Sequence, residues 1–97
     1  MFEIRFTPEA IEDIRSFRRH ERKRIIDQTE IQLKHQPAEE TRNRKRLRPN
    51  QIAEWELRID KFRVFYDVDE QEQLVKVEAV GYKEGGVLFI HGEEYEL

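Results

Sequence analysis

One stretch limits what this chain can become. From Glu54 to Val68 the sequence alternates apolar and polar residues twice, across a short polar break at Asp60-Lys61. Before the break Trp55, Leu57 and Ile59 fall on one side and Glu54, Glu56 and Arg58 on the other. After it Phe62, Val64, Tyr66 and Val68 alternate with Arg63, Phe65 and Asp67. A period of two sends successive side chains to opposite faces of a strand. Two such runs joined by a short polar turn make an antiparallel hairpin. One face of that hairpin is core. The other sets glutamates and arginines side by side, and any chemistry is expected there.

The rest of the chain narrows the class. Its 97 residues suffice for one domain with one modest core. Cysteine is absent, so neither a disulfide framework nor a thiolate zinc site is available. No apolar run approaches the roughly 20 residues of a bilayer span. The start Met1-Phe2-Glu3 lacks the basic and apolar regions of a signal peptide. The expectation is a soluble cytoplasmic protein with no membrane partner. Charged residues reach 40%, but the large apolar ones recur periodically, as in a folded chain.

The formal net charge of -3 conceals an asymmetry. Residues 13–48 carry 12 Lys/Arg against six Asp/Glu, whereas residues 67–97 carry two Lys against nine Asp/Glu. Opposite fields on one small domain read as two partners, as one partner docked across a dipole, or as solvated surface.

In chain order, Phe2–Phe6 alternates as a first strand. Thr7-Pro8-Glu9 then starts a helix: Thr7 caps, Pro8 suits the first helical position, and Glu9 favours the positive dipole end. Ala10, Ile11, Ile14 and Phe17 carry this helix to about Arg19. A second helix begins near His20-Glu21. Its stripe is Ile25, Ile26, Thr29 and Leu33, with Arg22 at the edge and Ile31 outside, and Gln36-Pro37 ends it. Residues 38–50 form a loop and a short approach strand. Beyond the hairpin, residues 69–73 turn into a strand over 74–82. Strict alternation there assigns Val75, Val77 and Ala79 to the core and Lys76, Glu78, Val80 and Tyr82 to the open face. Lys83–Gly86 is a turn, and Val87–Ile90 with Glu94–Leu97 make a last hairpin or a strand extension. The expected class is α+β: β-α-α-β-β-β plus a short C-terminal strand or hairpin, with a helical layer on one face of a sheet.

Arg42, Arg44, Lys45, Arg46 and Arg48 crowd five cations around Leu47, as in a phosphate-contacting segment or a solvated loop. No glycine-rich phosphate cradle, metal-ligand motif or nucleophile elbow occurs, so no metal or other cofactor is called for. His20, His35 and His91 are scattered and read as surface residues.

The order of elements, with Phe6-Thr7-Pro8-Glu9-Ala10, Lys45-Arg46-Leu47-Arg48, Trp55-Glu56-Leu57-Arg58-Ile59, Phe62–Tyr66 and Val80-Gly81-Tyr82-Lys83, resembles the RelE/ParE toxins of bacterial type II toxin–antitoxin systems. The resemblance covers most of the chain. It implies a growth-inhibiting toxin held inactive by a cognate antitoxin encoded beside it. In RelE-like members the toxin enters the ribosome and cuts mRNA without a metal, the 2′-hydroxyl attacking the adjacent phosphorus. That reaction needs a base, cations for the developing charge and an acid. In ParE-like members the target is DNA gyrase and no RNA is cut.

Carried onto this chain, the resemblance makes Arg63 the phosphate clamp on the open face. Lys83 stands where relatives often have arginine or histidine, keeping charge without bidentate geometry. Phe89 falls near a tyrosine position and is suited to stacking but not to proton transfer. Glu54 and Glu56 stand where lysines are usual. The nuclease expectation is Glu54 or Glu56 as base, Arg63 and Arg58 as clamps, and Lys83 as charge stabiliser or acid. RNA would be held by the Arg42–Arg48 cations and Phe89. The plainer alternative is that Glu56 and Arg58 pair across the sheet with Arg63. An acidic amphipathic antitoxin segment would suit Arg15, Arg18, Arg19, Arg22 and Ile31. Gyrase inhibition and a non-catalytic RNA- or protein-binding module stay open. So do a homodimer, a toxin–antitoxin hetero-oligomer, and the pairing of the 87–97 tail.

Overall fold

A computed structural model describes residues 1–97. The elements run β1 (Glu3–Phe6), α1 (Pro8–Arg15), α2 (Arg19–Leu33), β2 (Arg44–Arg46), β3 (Trp55–Ile59), β4 (Phe62–Asp69), β5 (Leu74–Glu84), β6 (Val87–Ile90) and β7 (Glu93–Tyr95). The expected α+β class and element order stand, with the approach strand as β2 and the tail as the β6–β7 hairpin. From β2 to β7 each strand pairs antiparallel with the next. β1 lies parallel to β5, along Leu74–Val77, and β6 takes the same edge of β5 further on, along Tyr82–Glu84.

The local causes are visible in the sequence. Thr7 Oγ1 accepts from Ala10 N at 3.1 Å, and Pro8 opens the helix where an N–H is not needed. The α1 helix stops at Arg15, short of the expected Arg19, because Ser16 turns back and its hydroxyl donates to Asp13 O at 2.6 Å. Phe17 therefore sits in the interhelical turn, edge-on to Phe62 at 4.9 Å. Glu21 Oε1 accepts from Arg18 N at 2.9 Å and starts α2. Ile25, Thr29 and Leu33 are fully buried, but Ile26 is 39% exposed, so the apolar stripe is narrower than expected. Ile31, outside the stripe, is 66% exposed. The helix ends at Leu33. Gln36 takes a positive φ of 51°, and the carbonyl of buried Pro37 accepts from Tyr66 Oη at 2.8 Å.

The strand β5 departs from strict alternation. Phe65 faces Ala79 and Tyr66 faces Val77, leaving Glu78 as an extra residue. This bulge exchanges the two faces beyond it. Val75 and Val77 meet the helices as expected, but so do Val80 and Tyr82, while Ala79 faces the other way. The expected assignment of Val80 and Tyr82 to the open face and of Ala79 to the helical core is thereby corrected.

The bulge also falls in the gap on β5 between β1 and β6, and α1 closes it. Thr7 Oγ1 donates to Glu78 O at 3.1 Å, and Asp13 Oδ2 accepts from Val80 N at 2.9 Å. Asp13 is 7% exposed. It serves backbone that the sheet leaves unpaired.

The principal core lies between helices and sheet, around Ile14, Ile25, Leu33, Leu57, Val64, Tyr66 and Val77. Each such side chain contributes about 1.5–3 kcal/mol on burial. The opposite face is not simply open. Phe65, Ala79, Leu88, Ile90 and Ala53 form a second buried cluster, covered by Leu47, Ile52, Tyr95 and Leu97. The 47–53 loop and the C-terminal hairpin thus roof half of the face on which the sequence places its charges.

Candidate functional site

The register fixes which charges share the helix-free face. Lys45 faces Glu56, and Glu56 faces Phe65. Arg58 faces Arg63, Arg63 faces Gly81, and Lys83 faces Leu88. Across from Arg63, Gly81 brings no side chain. A methyl there would lie 2.3 Å from Phe89 O, so glycine is required by the close approach of β6.

Arg63 is not a surface clamp. Its side chain is 6% exposed. One terminal nitrogen, Nη1, donates to Asp60 O and Phe62 O, both at 2.9 Å, and closes the β3–β4 turn in which Asp60 takes a positive φ of 54°. Its Nε lies 3.1 Å from Glu56 Oε1 but is not aimed at it. Burial lowers the pKa of the Arg63 guanidinium, with Glu56 opposing and Arg58 reinforcing the shift; arginine stays charged nonetheless. The cross-strand pair foreseen as the plainer alternative is therefore present for Glu56 and Arg63. It is absent for Arg58, which stays exposed beside them.

Above this pair the surface is cationic. Arg42, Lys45, Arg58 and Lys83 ring a depression of about 320 Å³ with Glu40, Thr41 and Glu56, and no apolar residue lines it. A neighbouring groove of about 740 Å³ shares Lys45, Glu56 and Lys83, adds Arg48, and is walled by the tail at Glu94–Leu97. Four cations against Glu40 and Glu56 leave the hollow net positive, an arrangement suited to an anion such as phosphate.

The other expected site residues lie elsewhere. Glu54 belongs to a separate depression beside Asn50 and Asp67, with its carboxylate 3.6 Å from Arg46. Arg44 and Arg46 point to the helical side, opposite Leu57 and Trp55. Arg44 donates to Gln32 O at 2.7 Å and to Glu39 O at 3.1 Å, while Arg46 lies 5.7 Å over the Trp55 ring. Phe89 also faces the helical side, stacked on Tyr82 at 5.2 Å, and is parted from Lys83 by the sheet.

Arg15, Arg18 and Arg19 gather at the interhelical turn. Arg22 follows one turn on, with its Nε buried and without a partner. Ile31 stands roughly 18 Å further along α2 than Arg19, so the two do not form one patch.

Two residues escape the sequence reading. Asp13 Oδ1 lies 2.6 Å from His91 Nδ1, tying α1 to the β6–β7 turn. The signal for Asp13 is its place among Ala10, Ile14 and Phe17, a charge inside an apolar stripe. For His91, treated as a scattered surface residue, there is no such signal, because the contact spans 78 positions.

The comparisons agree with this architecture. A family model described as the ParE toxin of type II toxin–antitoxin systems, parDE, matches residues 4–85. The toxin–antitoxin complex RelBE2 from Mycobacterium tuberculosis is similar in fold, with a TM-score of 0.74 at 21% identity over 84% of this chain and 91% of that one. No curated protein matches. No helix is long and apolar enough to cross a membrane. The match over residues 4–85, carried by the strand, the helical hairpin and the antiparallel meander, places this chain in the ParE toxin family of type II toxin–antitoxin systems.

Proposed function

We propose that this toxin acts by binding its target through the cationic face, that the target is DNA gyrase, and that an antitoxin encoded beside it holds it inactive. The observation that carries this reading is the state of Arg63. A guanidinium that is 6% exposed and committed to two carbonyls has little left to offer a phosphate. Of the rest of the cleavage set, Glu54 lies apart in its own depression while Glu56, Arg58 and Lys83 stay together, and Phe89, expected to stack on RNA, lies on the opposite face. What remains together, Arg42, Lys45, Arg58 and Lys83, suits anion binding, and the one expected base among them, Glu56, is held against Arg63 at 3.1 Å. The family model that matches is the ParE one, and the resemblance drawn from the sequence implies gyrase as the target of ParE-like members.

One observation favours mRNA cleavage as a second reading. Glu56, one of the two candidate bases of that scheme, shares its hollow with cations suited to a developing phosphorane. Expressing the chain alone separates the two. Growth arrest with relaxed or broken chromosomal DNA, intact messages and inhibition of purified gyrase is the expected result. New mRNA 5′ ends within translated codons, with gyrase unaffected, would overturn it in favour of the nuclease.

A further inference from the structure

The helical side of the sheet carries a cleft that neither reading uses. It measures about 720 Å³, room for one extended side chain. Its floor is aromatic: Phe17 meets Tyr82 edge-on at 6.0 Å, and Tyr82 stacks on Phe89 at 5.2 Å. Its walls are Glu12 and Asp13 of α1, Glu84 of β5, and the His91-Gly92 turn. Asp13 is occupied by Val80 N and His91, and Glu12 reaches Arg15 at 3.4 Å, but Glu84 has no ion-pair partner.

The cleft already accepts a cation from its own chain. Lys61 Nζ lies 5.5 Å over the Phe62 ring and 6.0 Å over Tyr82, with Glu21 at 3.8 Å. The half of the floor nearer Phe89 has no such cation. Quadrupoles of stacked rings beside an unpaired carboxylate attract a guanidinium or ammonium group. The charge of α1 fits the same picture, acidic at Glu9, Glu12 and Asp13 and basic from Arg15 into the turn at Arg18 and Arg19.

We propose that this cleft receives an arginine or lysine side chain of the antitoxin. The cation stacks on Tyr82 and Phe89 and pairs with Glu84, while the acidic part of the same segment continues over Arg15, Arg18 and Arg19. This rests on the antitoxin partnership proposed above. Phe89 and the His91-Gly92 turn lie beyond the residues that match the family.

The test uses the whole chain. Glu84→Lys, at an exposed position, is expected to weaken binding of the purified antitoxin roughly tenfold or more. It still arrests growth when expressed alone, and reversing one antitoxin cation to glutamate restores binding. Unchanged affinity in Glu84→Lys overturns the proposal while leaving the partnership intact. The cleft's chemistry is read separately by titrating N-acetyl-arginine amide, and its neutral citrulline analogue, against the Tyr82 and Phe89 ring resonances. Shifts with arginine alone, strengthened in Lys61→Met where the resident cation is gone, support the site. Equal shifts with both probes, or none, overturn it. An antitoxin that ignores the wild-type toxin sinks the partnership, and the arginine titration still decides the cleft.

Discussion

Arg63 shows how much of a residue's role depends on where its side chain turns. The period-two pattern assigns it to the face away from the helices, and the register agrees. Period, however, says nothing about depth, and the Arg63 side chain turns back onto the carbonyls of Asp60 and Phe62. Arg63→Ala removes a cation that satisfies two carbonyls and leaves Glu56 half-buried without its partner. The expected cost is about 2–4 kcal/mol, a drop in Tm on the order of 10 °C or more. Loss of growth arrest in that variant would therefore accompany loss of fold in thermal melts. Lys45→Ala and Lys83→Ala behave differently. Both side chains are exposed and in no ion pair with an acid, so stability should stay within about 0.5 kcal/mol while target binding and its salt dependence fall.

Glu78 supplies a pH-dependent case. Burial, aided by a hydrogen bond with Asp67, raises its pKa above the ordinary 4.5, against the pull of Lys76. A carboxyl that holds its proton more tightly folded than unfolded adds stability below the unfolded pKa, and loses it as pH rises through the folded one. Ionised Glu78 is thus a liability at neutral pH, and Glu78→Gln should raise Tm there. The gap between variant and wild type should widen as pH climbs above 4.5; a gap that widens toward acid would show the opposite sign.

At the scale of elements, most of the fold is legible. Thr7-Pro8 announces α1, and the alternation of Trp55–Ile59 and Phe62–Val68 gives β3 and β4 their faces. The β5 strand is misread beyond Glu78 because a bulge shifts parity by one, and no local residue type marks it. Its warrant is tertiary: Thr7 and Asp13 reach across from α1 to serve the backbone groups of Glu78 and Val80. Gly81 lies just beyond, where β6 crosses so closely that a methyl would meet Phe89 O at 2.3 Å and Ile90 Cγ1 at 3.0 Å. Since the first of these is backbone, it yields only if β6 moves. Gly81→Ala should destabilise by about 1–3 kcal/mol. The loss should concentrate in the β6–β7 hairpin, seen as faster amide exchange at Phe89, while Lys83, whose amide donates to Lys61 O, stays protected with β3 and β4. Uniform loss of protection would mean that the hairpin is not a separable unit.

For the whole molecule, two charged sites lie on opposite faces of one sheet, and neither coincides with the basic or the acidic half of the sequence. The cationic hollow at Arg42, Lys45, Arg58 and Lys83 lies on one side, and the acidic aromatic cleft on the other. The partition of the Arg42–Arg48 run was not legible, because it depends on β2 pairing with β3: Lys45 goes to one face, Arg44 and Arg46 to the other. Opposite faces allow target and antitoxin to be recognised separately. Substitutions with no shared partner and more than about 7–10 Å between them add within roughly 0.5 kcal/mol. Lys45→Ala combined with Glu84→Lys should therefore lose target and antitoxin affinity by the product of the single effects. One element contributes to both faces. Within β6, Leu88 packs in the cluster beneath the cationic groove, and Phe89 forms the floor of the cleft. If antitoxin binding weakens target binding without overlapping it, β6 is the physical link, and the coupling should vanish when Phe89→Ala uncouples the cleft from the strand. A double-mutant cycle of Lys45→Ala against Glu84→Lys, measured for both ligands, separates the cases: a coupling near zero marks two independent sites, and one above about 1 kcal/mol marks transmission through β6.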